Sequence, residues 1–84
     1  MPNFIVERSF DPPLTMEELK ATEARLARCL ELYRVRWIRS FLADDRRRMV
    51  CEYEAADAAS VRNVQREAEF KFDRVWPTDV IGVQ

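Results

Sequence analysis

Residues 35–53, VRWIRSFLADDRRRMVCEY, constrain this chain more than any other stretch. Two runs rich in β-branched and aromatic residues, Val35–Leu42 and Arg48–Glu54, flank the polar sequence Asp44-Asp45-Arg46-Arg47, which is the pattern of a β-hairpin. Register is the decision that matters, because a slip of one residue sends every side chain to the opposite face. Pairing across an Asp45-Arg46 tip sets Leu42 opposite Met49, Ser40 opposite Cys51 and Ile38 opposite Tyr53, an apolar face suited to meet helices. The reverse face then pairs Phe41 with Val50, Arg39 with Glu52 and Trp37 with Glu54. Opposite charges facing each other favour this register by a few tenths to about 1 kcal/mol. The turn holds neither Gly nor Asn, so a four-residue loop with a shifted register is the alternative.

The flanking segments supply the remaining elements. Asn3–Phe10 alternates, with Phe4, Val6 and Arg8 on one side and Ile5, Glu7 and Ser9 on the other, and Asp11-Pro12-Pro13 ends the strand. Thr15-Met16-Glu17-Glu18 has capping-box spacing, so a helix is expected from Met16 to about Tyr33, with Met16, Leu19, Leu26, Leu30 and Tyr33 on one stripe. Asp57 reads as the N-cap of a second helix, Ala58–Glu69, burying Val61, Val64 and Ala68. Asp73–Val83 is expected as a last strand, broken or placed on an edge by Pro77.

The resulting order, β-α-β-β-α-β, folds with right-handed crossovers into one α+β domain over residues 1–84. It is ferredoxin-like, a four-stranded antiparallel sheet with two helices on one face. The apolar fraction of 48% suffices for one core, and the net charge of −1 makes no field that would gather nucleic acid or an anionic membrane. The basic run Arg46-Arg47-Arg48 sits beside two aspartates and reads as a solvated turn. The aromatic and glycine pattern of RNA-binding sheets is missing from Met49-Val50-Cys51. No window is long and apolar enough for a membrane span, and the N-terminus MPNFIVERSF lacks the pattern of a signal peptide. With two cysteines in different elements, a reducing cytoplasmic location is expected.

Helices on one face leave the other bare. On the register above, that face carries Ile5, Glu7, Trp37, Arg39, Phe41, Val50, Glu52 and Glu54, too much apolar surface for a small monomer to leave wet. Packing two such faces together gives a homodimer, a dimeric α+β barrel. Two readings of its interior stand side by side. In one, Glu7, Arg39 and Glu52 are simply a buried ion-pair set. In the other, Glu7, Trp37, Arg39, Phe41 and Glu52 line a ligand-binding site for a small molecule between the sheets. No cofactor is identified. A nucleophile activated by histidine cannot be built, because the chain has no His. Cys51 reads as a small buried residue, and no catalytic set emerges.

The segments FIVERSF, VRWIRSFLADDRRRMVCEYEA and FDRV resemble a small bacterial domain family of largely unassigned function. Some of its members are described as nickel-binding proteins. The resemblance implies a ferredoxin-like dimer and rests mainly on V-x-W-x-x-S at Val35–Ser40, D-x-R-R at Asp45–Arg48 and C-x-Y-E-A at Cys51–Ala55. The family often carries His where this chain has Arg39, and Gly-x-Pro after the second helix where it has Glu69-Phe70-Lys71. Nickel and zinc sites are built from imidazole and thiolate. A metal site of that type is therefore not expected here; the alternatives to a ligand-binding domain are a cofactor-free enzyme of the dimeric α+β-barrel type and, third, a nickel-binding protein as in the resembled family.

Overall fold

In β1, every second side chain from Phe4 is buried, and this alternation organises the computed structural model, which describes residues 1–82. The elements are β1 (Asn3–Ser9), α1 (Met16–Tyr33), β2 (Arg36–Leu42), β3 (Arg48–Glu54), α2 (Ala58–Glu67) and β4 (Arg74–Thr78). The strands pair antiparallel in the order β2-β3-β1-β4, so the expected ferredoxin-like arrangement is the one observed. The core joins Phe4 and Val6 of β1 and Met49, Cys51 and Tyr53 of β3 to Leu26 of α1 and to Val61, Val64 and Ala68 of α2, with Phe70 beyond it. A Cα radius of gyration of 12.4 Å matches the roughly 12 Å of a compact chain of this length.

Local chemistry sets the helix ends. Thr15 Oγ1 accepts from the Glu18 amide at 3.1 Å, while Thr15 N donates to Glu18 Oε1 at 3.2 Å, which is the expected capping box. Arg34 closes α1 in the left-handed region (φ 56°), and Val35 N donates back to Leu30 O at 2.9 Å, delivering a buried Val35 into β2. Asp57 caps α2 as expected, but the helix ends at Glu67, two residues early, because Glu69 turns left-handed (φ 55°). The last strand is also shorter than expected, and Val83 lies outside the described residues. As an edge strand, β4 accommodates Pro77.

At the hairpin tip, Ala43 N donates to Arg48 O and Arg46 N to Ala43 O, both at 2.9 Å. The loop is therefore four residues long, yet Leu42 still faces Met49, Ser40 faces Cys51 and Phe41 faces Val50. Arg46 and Arg47 carbonyls accept from Leu14 and Phe10 amides, so the arginine run stitches the β1–α1 loop to the hairpin.

The expected register fails at one point. A β-bulge lies between Trp37 and Arg39, with Ile38 as the extra residue, so Trp37 pairs with Tyr53 and Arg36 takes the place opposite Glu54. Trp37 therefore lies on the helix side, where it lines a cavity of about 10 Å³ with Leu19, Leu26 and Met49. The expectation that Trp37 and Phe41 share a face is corrected: one inserted residue reverses the alternation for everything before it.

Tyr53 is buried in this core, 1% exposed. Burial first, and then the neighbouring Cys51, push its phenol from 10.0 up to about 12, against a lowering influence from Arg8. Its ionised form is thus disfavoured in the folded state, which holds its proton at a pH where the unfolded chain has lost it. The stability tied to this group is complete below pH 10 and is lost as the pH rises through 12. Urea melts should show about 1 kcal/mol of alkaline destabilisation between pH 9 and 11 that Tyr53→Phe removes. An unchanged pH profile in that variant would contradict the assignment.

Candidate functional site

No helix covers the second face of the sheet. Across it from β2 to β4, one row holds Phe41, Val50, Glu7 and Arg74, and the next holds Arg39, Glu52, Ile5 and Trp76. A third row holds Arg36, Glu54, Asn3 and Thr78. Phe41, Val50, Ile5 and Trp76 form a diagonal apolar band across all four strands. Phe41 is 66% exposed and Trp76 40%, high values for such large apolar side chains.

The charges flanking this band are matched. Arg39 Nε lies 3.1 Å from Glu52 Oε1, and Asn3 Nδ2 donates to Glu52 Oε2 at 2.6 Å. Arg36 reaches Glu54 at 3.5 Å. On the other flank, Glu7 Oε2 accepts from Trp76 Nε1 at 2.6 Å and lies 3.6 Å from Arg74 Nε. The acids stand on the two central strands and are the better shielded partners; the arginines stand on the two edges, with more than half of each side chain in water.

Four of the five residues expected to meet, Glu7, Arg39, Phe41 and Glu52, do lie on this face. Arg39 and Glu52 pair as expected, but Glu7 belongs to a separate group with Trp76 and Arg74. Trp37 is on the other side, its Nε1 donating to Ser40 Oγ at 2.9 Å. Trp76 is the aromatic residue on this face that sequence reasoning did not place. The available signal was alternation: with Val75 opposite Val6 toward the core, Trp76 must face outward beside Ile5.

The chain has no His, and among the described residues no three His, Cys, Asp or Glu side chains gather as a metal-binding set. The acids of the open face are already engaged by arginines and amide or indole N–H groups, an arrangement that opposes a cation. No helix among the described residues is long and apolar enough to cross a membrane.

Strand order, helix placement and a bare sheet face together define a ferredoxin-like α+β domain. The family model described as "Nickel responsive protein SCO4226-like" matches residues 4–78, and the chain belongs to that family. The crystal structure of SCO4226 from Streptomyces coelicolor A3(2) superposes with a TM-score of 0.82 at 15% identity, covering 95% of this chain and 99% of that one. At that identity the likeness is one of fold. No curated protein matches the chain significantly.

The Arg39–Glu52 pair offers a direct measurement. In a double-mutant cycle with Arg39→Ala and Glu52→Gln under dilute conditions, a coupling of about 0.2–1 kcal/mol is expected, shrinking in 1 M salt, since Arg39 is largely in water. A coupling of zero at low salt would mean that the pair contributes nothing to stability in solution.

Proposed function

We propose that this domain acts as a homodimer closed through its open sheet face, holding a small ligand or partner between the two sheets. The cytoplasm is its proposed location. The observation that carries this reading is the diagonal band of Phe41, Val50, Ile5 and Trp76 on a face no helix covers. A second copy suits it well. The apolar band can meet its own two-fold mate, and the neighbouring charges are already neutralised in pairs, which lowers the cost of removing them from water. Within that interior, Glu7, Arg39, Phe41, Glu52 and Trp76 would contact the ligand, and Trp37 would not.

Sedimentation velocity at tens of micromolar is expected to show two chains per particle, and Phe41→Asp is expected to give a folded monomer. A monomeric parent at that concentration would refute the dimer. The two indoles provide an internal control, because only Trp76 lies on the face to be covered. Emission from Trp76, isolated by Trp37→Phe, should shift to the blue on association; emission from Trp37, isolated by Trp76→Phe, should not. Native mass spectrometry of the purified dimer then tests for retained ligand.

The family description favours nickel as a second reading. A site in this chain would need carboxylates or thiols, since imidazole is absent. Equilibrium dialysis of tag-free protein is expected to show no stoichiometric uptake at micromolar nickel; stoichiometric uptake would establish the second reading instead.

A further inference from the structure

On the helix side, away from the proposed dimer face, lies a cation with no counter-charge among the described residues. Arg8 is 2% exposed. Its Nη1 donates to the carbonyls of Phe70 (3.2 Å) and Lys71 (3.3 Å), and its Nη2 donates to Gln65 Oε1 (2.9 Å). Longer contacts reach Tyr53 Oη at 3.5 Å and Cys51 Sγ at 3.6 Å, and the Phe70 ring lies 3.6 Å from the guanidinium carbon. Every one of these partners is neutral. A buried cation ordinarily has an anion beside it, and Tyr53 cannot supply one, because its phenol stays protonated up to about pH 12.

Two buried donors at the same place also lack acceptors. Arg8 Nε and Gln65 Nε2 have no protein hydrogen-bond acceptor among the described residues, although Gln65 is wholly buried. Unsatisfied buried donors are rare in folded proteins, and two in contacting residues are an excess of positive character. Three of the residues that hold Arg8, namely Gln65, Phe70 and Lys71, also line a surface groove of about 360 Å³ at the end of α2. Arg66, Glu69 and Phe72 complete it. The guanidinium thus stands one residue behind an aromatic floor, and the rim carries two cations against one acid.

We propose that this groove binds a small apolar monocarboxylate, with its body on Phe70 and Phe72 and its carboxylate drawn by Lys71, Arg66 and the uncompensated Arg8 behind them. Low-dielectric walls concentrate the field of these charges in the groove. The floor supplies contact area and the missing counter-charge supplies selectivity for an anion. The site is independent of the open sheet face, so its failure would leave the dimer untouched.

Amide proton–nitrogen spectra of the intact protein, titrated with phenylacetate, provide the test, with 2-phenylethanol and phenethylamine as the neutral and cationic counterparts. Saturable shifts are expected at residues 65–72, with phenylacetate about tenfold tighter than the alcohol and the amine weaker still. Lys71→Ala, at an exposed position, should weaken phenylacetate about fivefold to tenfold. Gln65→Glu retains an oxygen toward Arg8 and places a carboxylate beside it, so the preference for phenylacetate over the alcohol should vanish while the spectrum stays that of a folded protein. The proposal is overturned by equal affinity for acid and alcohol, by shifts centred on Ile5, Phe41 and Trp76, or by no saturation at tens of millimolar. An undiminished preference in both variants would overturn it as well.

Discussion

Two helices can cover only one side of a four-stranded sheet, and the chemistry of this protein follows from how the two sides share its side chains. On the covered side, β1 and β3 contribute Phe4, Val6, Met49, Cys51 and Tyr53, sealed by α1 and α2. On the bare side, the same strands contribute Ile5, Glu7, Val50, Glu52 and Glu54. A protein with no need of that face would make it uniformly polar. Instead an apolar band crosses it, and each neighbouring carboxylate is neutralised by an arginine from an edge strand. The charges of this surface are matched within the chain, which lowers the cost of removing them from water.

The covered side has a different economy. Arg8 occupies a position that alternation reserves for a core residue, and its charge is solvated by carbonyls, an amide oxygen and an aromatic face. These contacts tie β1 to the turn after α2, which is where Glu69 takes a left-handed conformation and the chain reverses toward β4. They also leave a net positive charge in the interior, unlike the open face, where every acid has its base. The two faces therefore present opposite problems to solvent: one is neutral and apolar, the other cationic beneath an aromatic lining.

Membership in a family described as nickel responsive sits beside a chain without histidine. On the second strand, Arg39 is committed to Glu52. A guanidinium at that position repels a cation and recruits the nearest carboxylate. The scaffold is thus shared with the family, and in this chain the second strand offers an ion pair in place of a ligand to a metal.

Much of the architecture was readable from local rules. The capping box at Thr15, the N-cap at Asp57, the alternation of β1 and β3 and the charge pair Arg39–Glu52 each depend on residues close in sequence or on a single cross-strand match. The position of Arg8 among core residues was equally readable from its spacing after Phe4 and Val6. What satisfies Arg8 was not, since its partners all lie more than forty positions away. The bulge at Ile38 was also hidden: Trp37 and Ile38 are adjacent apolar residues, which interrupts alternation without fixing which face either takes, and the extra residue is absorbed only when Trp37 meets Tyr53 beside α1. Sequence alone determined which elements form and which faces are apolar, because helix caps and alternation act over a few residues. Tertiary structure decided which tryptophan faces outward and where the unmatched charge lies, because a strand's register and a buried ion's neighbours are set by contacts between distant segments.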